Sequence, residues 1–392
     1  MTLILFLLMA PLGVVNLIFV LEIAFGLFPV RSKSTPGFRN AKTVVVIPAH
    51  NEATSIESTL VAVASAAEGC AQILVVADNC TDSTASIVRS YGIEVTERRD
   101  RTRRGKGFAL DHARAHLRAA PPDCVIVLDA DCTIDRTSIC ALTDACLAIG
   151  LPGQATYLLL PDREASPLVQ ISNFAFLIRN LVRQRGLQRL AGRVHLTGTG
   201  MAFPWPVFAN AQLATPSIVE DLQLGLHLAA RGQPPQLNSL ATVWSASARE
   251  AETMVQRGRW EGGFLATASV VAPRELLRAT VRGEARDIWA ALDLFVPPTA
   301  LLVIMNLLML AVGGAIAQFY GGNNLPLLLL GASFIAVGCL IMLAWLLEGR
   351  PFVSPGALVT APLYVLRKSL LYANLLRKGA PSEWQRTKRA DE

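Results

Sequence analysis

Acidic side chains follow three short apolar runs of the sequence, at the point where each run ends. They are Glu52, Asp78, Asp129 and Asp131, and they follow apolar runs at 43–48, 73–77 and 125–128. Runs of this length that are rich in β-branched residues predict buried strands. If the strands are parallel, their carboxyl ends lie at one edge of a sheet, where ligands of such sheets bind. The sequence therefore predicts a single site built around these carboxylates.

The segment between residues 42 and 250 alternates short β-branched runs with helical stretches. We predict strands at 43–48, 73–77, 94–96 and 125–128, and helices at 51–67, 82–91, 106–117 and 136–149. Strand–helix alternation predicts an α/β fold with a mainly parallel sheet. Continuous apolar strands indicate that both faces of the sheet are covered.

Asp129 and Asp131 are two residues apart at a predicted strand end. Carboxylate oxygens are preferred ligands of hard divalent cations, and Mg²⁺ is usually held by one or two carboxylates together with substrate phosphates. The pair therefore predicts a divalent metal, Mg²⁺ or Mn²⁺. The alternative is a solvated turn. An alternative to ligand binding also exists for Glu52, Asp78 and their polar neighbours. Residues such as Asn51 and Asp82 can simply cap a helix.

A basic run lies between the third strand and the helix that begins near residue 106. It contains Arg98, Arg99, Arg101, Arg103, Arg104 and Lys106. Gly105 and Gly107 flank Lys106 at a predicted helix start, which suits an anionic diphosphate. The other arginines are interpreted as surface or membrane-headgroup contacts. A charge run is usually a solvated face and only sometimes a nucleic-acid patch, and we expect no nucleic-acid partner.

The seven cysteines include no Cys-x-x-Cys pair, and six of them fall in the α/β segment. This spacing fits neither a zinc site nor a disulfide framework, and reduced thiols are the better interpretation.

Three apolar runs are long enough to cross a membrane. They cover residues 2–30, 292–320 and 325–347, and 52% of the 392 residues are hydrophobic. A secretory signal is the alternative for the first run, but neither a positive start nor a cleavage site is clear. Glu22 inside the first run is a functional candidate or the partner of a neighbouring helix. The shorter run at 352–366 contains Pro355 and Pro362 and predicts an interfacial or re-entrant segment.

Lysines and arginines next to these runs predict the orientation of the chain. Arg31, Lys33, Arg39 and Lys42 follow the first run, and Arg350, Arg367, Lys368, Arg377 and Lys378 follow the later pair. Two helices joined by a turn at Gly321, Gly322, Asn323 and Asn324 would cross the membrane outwards and then back again. We therefore expect three spans in the inner (plasma) membrane, lipid contacts, and a cytoplasmic central domain.

Seven motifs resemble those of the family 2 glycosyltransferases, which have the GT-A fold. They are VVVIPAHNEA, VVADNCTDST, RRGKGFALDHA, VIVLDADC, HLTGTGMAFP, IVEDLQLGLHLAARG and QRGRW. The last two resemble motifs of membrane-bound cellulose, hyaluronan and poly-N-acetylglucosamine synthases, and also of ceramide glucosyltransferases. The resemblance covers residues 43–263. It departs at Ala77, where the family usually has the first of two adjacent aspartates.

The resemblance implies a role for each matching residue. Asp131 would hold the metal and Asp221 would be the general base. The nucleotide sugar would be bound by Glu52, Asp78, Lys106, Asp129, Gln256, Arg259 and Trp260. The acceptor pocket would be lined by Thr197, Gly198, Thr199 and Gly200. Without the resemblance, Asp221 could be a first-turn helix acid, and Trp260 beside Arg259 would be ordinary membrane-belt composition.

The sequence thus predicts five segments: an anchor at 1–30, a catalytic domain at 42–250, interfacial helices at 251–291, two spans at 292–347, and an interfacial segment with a basic tail at 348–392. The predicted activity is inverting transfer from a nucleotide sugar, with UDP favoured, to a carbohydrate or lipid acceptor. Polysaccharide synthesis is favoured over single transfer to a lipid. Because three spans make a thin channel, polymer export would require a partner or a homo-oligomer.

Two other classes of protein fit the sequence less well. A nucleotidyltransferase of similar fold should have a Gly-rich phosphate loop after the first strand, where this chain has PAHNE. A transporter or receptor should carry polar groups in the late spans, which have almost no ionisable residues.

Overall fold

A computed structural model of the chain describes residues 2–29, 37, 40–321 and 323–379. The expectations for Arg31, Lys33, Arg39, Gly322 and the tail at 380–392 lie outside the described residues. By their contacts, the described residues form two compact units. The sheet unit lies within 29–160 and 192–249, and the span unit within 1–28, 161–191 and 250–381. The expected catalytic range of 42–250 therefore includes a segment, 161–191, that packs with the span unit.

The described strands are β1 (Thr43–Ala49), β2 (Gln72–Asp78), β3 (Glu94–Arg98), β4 (Cys124–Val127), β5 (Cys132–Ile134), β6 (Gly153–Leu159), β7 (Met201–Pro204) and β8 (Gln236–Ser245). The described α-helices are α1 (Thr2–Gly26), α2 (Ile56–Ala67), α3 (Thr84–Ser90), α4 (Lys106–Leu117), α5 (Arg136–Ile149), α6 (Pro167–Leu177), α7 (Gln184–Ala191), α8 (Trp205–Asn210), α9 (Glu220–Ala230), α10 (Glu250–Arg282), α11 (Ala285–Asp293), α12 (Thr299–Tyr320), α13 (Leu325–Ala344), α14 (Pro355–Val359) and α15 (Ala361–Lys378). Two π-helical turns, Ile178–Arg183 and Trp345–Gly349, lie between α6 and α7 and after α13.

The sheet unit is built on one eight-stranded sheet with the order β3-β2-β1-β4-β7-β6-β8-β5. Strands β1 to β4 pair in parallel, as do β6 and β8. Strand β7 is antiparallel to both β4 and β6, and β5 is antiparallel to β8. The predicted α/β class with a largely parallel sheet is confirmed. The four strands after β4 had not been predicted from the sequence.

Helices α4, α8 and α9 pack into one core with strands β1, β2 and β4. Leu110 and Ala113 of α4 and Leu224 of α9 join Val46 and Val127 of the strands in a single buried cluster. Burial of such apolar surface contributes about 25 cal/mol per Å². This core fixes the first residues of α4 and α9 to the sheet, and those residues belong to the candidate site.

Two of the predicted helices begin later than the sequence indicated. Helix α2 starts at Ile56 instead of residue 51, because Asn51 takes a left-handed conformation with φ of 53° and residues 53–55 form a turn. Helix α3 starts at Thr84 instead of residue 82. Helices α4 and α5 have the predicted bounds. In α5, Asp135 caps the first turn by accepting a hydrogen bond from the Ser138 amide.

Three described helices of the span unit are long and apolar enough to cross a membrane, which agrees with the predicted number. They are Thr2–Gly26, Thr299–Tyr320 and Leu325–Gly349. The predicted run at 292–320 was wrong as a single element, because Pro297 and Pro298 separate α11 from α12. The run at 352–366 is divided between α14 and the start of α15, with the break at Thr360.

Polar side chains join the three long apolar helices to one another. Asn16 of α1 and Asn306 of α12 exchange two side-chain amide hydrogen bonds of 2.7 and 2.9 Å. Asn16 also donates to Ser333 Oγ of α13 at 2.9 Å. Asn16 and Asn306 are both fully buried. Buried amides that pair with each other satisfy their hydrogen bonds and fix the register of the helices that carry them.

Glu22 has a partner on a neighbouring element. Of the two interpretations given above, a functional group or the partner of a neighbouring helix, the structure therefore agrees with the second. Its carboxylate accepts a hydrogen bond from Arg183 Nε at 2.8 Å, and Arg183 also bonds Asp293 at 2.5 Å. The same region brings two backbones close together, since a Cβ at Gly186 would overlap the Glu22 carbonyl oxygen. Small residues permit this approach of helices.

The amide pair of α1 and α12 predicts a measurable coupling. Asn16→Leu and Asn306→Leu should each destabilise the protein by about 0.5–2 kcal/mol, because each leaves one buried amide with fewer partners. The double variant should lose less than the sum of the two. The measurement is reversible unfolding in detergent, with Gln318→Leu, an exposed position of α12, as the control. Strictly additive losses would show that the two amides do not stabilise each other.

Candidate functional site

Three loops leave the same edge of the sheet, as expected for parallel strands. Strand β1 lies between β2 and β4, with Ala49 opposite Ala77 and Val46 opposite Val127. The residues that follow β1, β2 and β4 therefore emerge side by side. They include the predicted residues Glu52, Asp129 and Asp131, and Asp78 is the last residue of β2.

Two asparagines in left-handed conformations connect these loops. Asn51 has φ of 53° and Asn79 has φ of 52°. The Asn51 side-chain oxygen accepts a hydrogen bond from the Thr81 amide at 2.8 Å, and that of Asn79 accepts one from the Asp100 amide at 2.7 Å. Asparagine tolerates this conformation better than most residues because its short side chain bonds locally. Each loop is therefore fixed to the next one along the edge.

Asp78 forms a buried ion pair that the sequence did not indicate. Its Oδ1 accepts a hydrogen bond from Arg98 at 2.6 Å and another from the Asn79 side chain at 3.0 Å. The side chains of Arg98 and Asp78 are 10% and 9% exposed. The guanidinium also lies 5.5 Å from the centre of the Phe108 ring. The interpretation of Arg98 as a surface residue was wrong, because β3 directs it towards the β2 carboxylate.

Glu52 is held in a local turn. Its amide donates to Thr84 Oγ1 at 2.9 Å, and its carboxylate accepts from Ser55 Oγ at 2.7 Å. Asp82 accepts hydrogen bonds from the amides of Ala53 and Thr84, both at 3.0 Å. These bonds hold the loops after β1 and β2 beside each other. Binding of a nucleotide sugar by Glu52 and Asp78 remains a prediction.

Lys106 lies at the centre of a charged cluster. Its ammonium group pairs with Asp129 and donates to the Gly198 carbonyl oxygen at 2.8 Å. Burial opposes the charge of the ammonium, but Asp129 and Glu220 outweigh it, and the net effect is to raise the pKa of Lys106. Lys106 therefore remains positively charged at neutral pH.

Asp221 reaches the same place from the first turn of α9. A Cβ on Gly198 would lie 3.3 Å from Asp221 Oδ2 and 3.5 Å from Lys106 Nζ. Gly198 also has φ of 87°, a conformation that favours glycine. Glycine at this position therefore leaves room for the base candidate and the lysine to approach each other. The cluster brings together Lys106, Asp129, Gly198 and Asp221.

The loop at 197–200 is fixed against Asp129. Thr199, fully buried, accepts a hydrogen bond from the Asp129 amide at 3.1 Å. Gln154 donates to the Thr199 carbonyl oxygen at 2.9 Å and accepts from the Thr197 amide at 3.0 Å. The Thr197 hydroxyl is buried and has no hydrogen-bond partner among the described residues. Gly200 donates from its amide to Val127. The predicted acceptor loop thus lies beside the predicted donor site.

Three side chains after β4 could hold a metal ion. Ligand atoms of Asp129, Asp131 and Cys132 lie within 4.8 Å of one another. Both aspartates are partly exposed, whereas Cys132 is buried. Burial raises the pKa of the Cys132 thiol to about 12, so the two carboxylates are the anionic ligands. Two adjacent carboxylates fit a hard cation such as Mg²⁺ or Mn²⁺ better than a soft one.

Glu220 is a titratable group of this site to which the sequence motifs gave no role. Burial, followed by the neighbouring Asp221 carboxylate, raises the pKa of Glu220 to about 8. At neutral pH most of the Glu220 side chains are therefore protonated. A helix that begins with two adjacent acids was the available signal, since like charges in contact cannot both ionise easily.

Gln256, Arg259 and Trp260 belong to helix α10 of the span unit. Gln256 is 2% exposed, whereas Arg259 and Trp260 are partly exposed. Arg257, which the sequence reading did not select, bonds Ser172 Oγ at 2.7 Å and lies 5.0 and 5.1 Å from the ring centres of Phe176 and Trp260. Arg257 therefore holds the Trp260 ring in place. Contact of Gln256, Arg259 and Trp260 with a donor remains a prediction.

The residue after Trp260 is held by helix α15. Glu261 accepts hydrogen bonds from Lys368 and from the Tyr372 hydroxyl, both at 2.6 Å. Lys368 is fully buried between the rings of Tyr364 and Tyr372. The sequence had indicated Lys368 only as an orienting charge at the membrane surface.

Comparison with known protein families identifies the segment that carries the sheet edge. Residues 44–148 match the model of Glycosyl transferase family 2. This segment is a glycosyltransferase family 2 domain. It contains β1 to β4 and the residues Glu52, Asp78, Lys106, Asp129 and Asp131. No curated protein matches the chain.

One solved structure shares the fold of nearly the whole chain, and a second is similar over part of it. The mannosyltransferase PcManGT from Pyrobaculum calidifontis, in complex with GDP-Man and Mn²⁺, superposes with a TM-score of 0.55 at 17% identity, over 96% of this chain and 99% of that one. The glucosyl-3-phosphoglycerate synthase from Mycobacterium tuberculosis, in complex with Mn²⁺, UDP and phosphoglyceric acid, gives 0.39 at 18% identity, over 58% and 78%. The first of these confirms the predicted GT-A-type fold with flanking apolar helices.

The buried Arg98–Asp78 pair predicts a contrast between two adjacent arginines. Arg98→Gln should lower the free energy of unfolding by about 3–5 kcal/mol, because it leaves the buried Asp78 carboxylate without its cation. Arg99→Gln is the matched control. The Arg99 side chain is 82% exposed and 3.4 Å from Glu97, so its loss should change stability by less than about 1 kcal/mol. Chemical denaturation of the full-length variants measures both values, and equal losses would contradict the assignment.

Proposed function

We propose that the chain is a membrane-bound, inverting glycosyltransferase that moves a sugar from a nucleotide sugar to a carbohydrate or lipid acceptor. The convergence of Lys106, Asp129, Gly198 and Asp221 at one sheet edge carries this proposal. A cation for a diphosphate, a carboxylate pair for a metal and a carboxylate for an acceptor proton are the groups that such a transfer needs. The family 2 domain at 44–148 supports the same activity.

The donor diphosphate would be bound through two positive charges. Asp131, with Asp129 beside it, would hold a divalent metal, which supplies charge neutralisation at the departing diphosphate. Lys106 would supply the second charge from the start of α4, held in place by Asp129 and the Gly198 carbonyl oxygen. The nucleotide and ribose would be bound near Glu52 and Asp78.

Asp221 would act as the general base. It would accept the proton of an acceptor hydroxyl while that oxygen forms its bond to the anomeric carbon. The bond from the anomeric carbon to the diphosphate oxygen would break on the opposite face, with inversion of configuration. Glu220, mostly protonated at neutral pH, would not compete for this proton.

The span unit would place the reaction at the inner (plasma) membrane, with the sheet unit on the cytoplasmic side. Gln256, Arg259 and Trp260 would add contacts to the diphosphate and to a sugar ring. The favoured process is polysaccharide synthesis. Single-sugar transfer to a lipid acceptor is the alternative within the same chemistry.

A panel of donors tests the proposal and the metal together. Purified protein in lipid vesicles should release nucleotide from one member of a panel of UDP-sugars and GDP-sugars in the presence of Mn²⁺ or Mg²⁺. GDP-sugars are included because PcManGT was solved with GDP-Man. Asp131→Asn should lower this rate to background while the protein stays folded, because the metal loses a carboxylate. A full rate in that variant, or in excess chelator, would exclude the metal role.

Asp221→Asn separates binding from chemistry. The amide keeps the size of the side chain but cannot accept the acceptor proton, so the transfer rate should fall by about 100-fold or more. Donor affinity should change little, because the expected donor contacts are Glu52, Asp78, Asp129 and Asp131. Both quantities are measured on the same purified variant. An unchanged rate, or donor affinity lost in parallel with rate, would refute the base assignment.

A further inference from the structure

An ion pair between helices α10 and α15 is buried inside the span unit. Lys368 of α15 is fully buried and donates a hydrogen bond of 2.6 Å to Glu261 of α10, whose side chain is 13% exposed. The Tyr372 hydroxyl donates to the other oxygen of the same carboxylate, also at 2.6 Å. The rings of Tyr364 and Tyr372 lie 5.8 and 5.6 Å from the ammonium group. The proposed chemistry gives these four residues no role.

This ion pair is costly to bury. Burial opposes the charge of the ammonium more than Glu261 favours it, and the net effect lowers the pKa of Lys368 to about 8. Buried ion pairs often stabilise a protein no better than apolar side chains of similar size do, and their best-attested use is to fix the register of packed helices. Stability alone therefore does not explain why a lysine and a glutamate occupy this place.

Helices α10 and α15 meet at the Gln-Arg-Gly-Arg-Trp segment, residues 256–260. A Cβ at Gly258 would lie 2.9 Å from Leu371 Cδ1 of α15, so the missing side chain permits a close approach of the two helices. This apolar contact has little direction and does not fix how far α15 extends along α10. Glu261, the residue after the segment, adds directed hydrogen bonds to two side chains of α15. The ion pair therefore determines the register of the two helices here.

The position of the Trp260 ring depends on this register. Its centre lies 5.6 Å from that of Phe176 in α6, and the Arg257 guanidinium lies 5.1 Å from it. Arg257 in turn bonds Ser172 of α6. The segment is thus held by α6 through these contacts and by α15 through the ion pair. A change of register would shift α10 against α6 and carry the Trp260 ring with it.

We propose that Glu261 and Lys368 are positioning residues: by fixing the register of α15 on α10, they hold the Trp260 ring in one orientation. Their effect on transfer rests on the proposed function, in which Trp260 contacts a sugar ring. The orientation of the ring does not rest on it and can be measured without a donor. A pair that served only to stabilise α15 would have no such effect on Trp260.

The triple variant Glu261→Leu/Lys368→Met/Tyr372→Phe separates positioning from stabilisation. It replaces the buried polar groups by apolar ones of similar size and leaves no buried charge unpaired, so the free energy of unfolding in detergent should not fall. Without directed bonds, α15 can settle in more than one register. Fluorine NMR of the full-length protein with fluorinated tryptophan should then show a broadened or split Trp260 signal, which is assigned by its loss in Trp260→Phe.

The rate of transfer provides the second measurement. The triple variant should transfer sugar about tenfold to 100-fold more slowly than the wild type, because small misplacements of a substrate contact have effects of this size. A stable variant with a slow rate is the result expected of positioning residues. A variant whose rate falls only as far as its folded fraction would show that the pair stabilises the protein and nothing more.

Glu275 and Arg278 form the matched control pair. They lie on the same helix and are bonded at 2.7 Å, but the Arg278 side chain is 64% exposed. Glu275→Leu/Arg278→Met removes an ion pair of α10 that does not join it to α15, so the Trp260 signal and the rate should not change. The signals of Trp205 and Trp244, which lie in the sheet unit, are internal references in every variant.

Glu261→Gln keeps the proposal testable if the triple variant does not fold. The amide keeps the size of the side chain but turns one of its two acceptor atoms into a donor. Lys368, whose pKa is about 8, can lose its proton when its partner becomes neutral. The Trp260 signal should broaden or shift and the rate should fall, by less than in the triple variant.

Two results in a folded variant would overturn the proposal: a wild-type Trp260 signal, or a changed signal with a wild-type rate. A control pair that changes the Trp260 signal equally would do the same. Failure of the proposed function is seen separately, because a donor should shift the Trp260 signal of the wild type. If no donor does so while the signal still broadens in the triple variant, the sugar contact of Trp260 is wrong and the positioning of its ring is supported.

Discussion

The positive charge of Lys106 is the condition on which the arrangement of the sheet edge depends. Parallel pairing of β1, β2 and β4 gathers carboxylates at one edge, and α9 adds two more from the side. Without a cation among them, these groups would repel one another and take up protons. Lys106 pairs with Asp129 and holds the Gly198 carbonyl oxygen, so one ammonium group joins α4, the loop after β4 and the loop before β7. The core beneath α4 and α9 keeps the lysine and the acids at this distance.

In the span unit, buried polar side chains are stabilised by pairing with one another. Three buried polar side chains of its apolar helices are paired: Asn16 bonds Asn306, and Glu22 bonds Arg183 of the π-helical turn. Polar groups away from water are costly unless they are paired. Apolar packing alone has little direction, so these pairs also determine how the helices are aligned. The long helices are therefore specified by a small number of hydrogen bonds.

Local patterns predicted part of this structure well. The bounds of α4 and α5, the edge occupied by Asp129 and Asp131, and the three long apolar helices all follow from periodicity and composition over short stretches. The Arg98–Asp78 pair could not be predicted this way, because its partners are 20 residues apart and meet only through the pairing of β2 with β3. Strands β5 to β8 are short or pair with distant segments. The left-handed conformation of Asn51 could not be predicted from the neighbouring sequence. Arg257 was overlooked because its neighbours Ser172 and Phe176 come from another part of the chain.

The Glu261–Lys368 bond joins residues 107 positions apart in the chain. During synthesis, α10 leaves the ribosome well before α15 exists. The side chains of Glu261, Lys368 and Tyr372 therefore cannot meet until α15 has been made. The Gln-Arg-Gly-Arg-Trp segment of α10 therefore reaches its final geometry late, because α12 and α13 are made between α10 and α15. A nascent or prematurely terminated chain would carry a complete sheet unit and an unfinished α10.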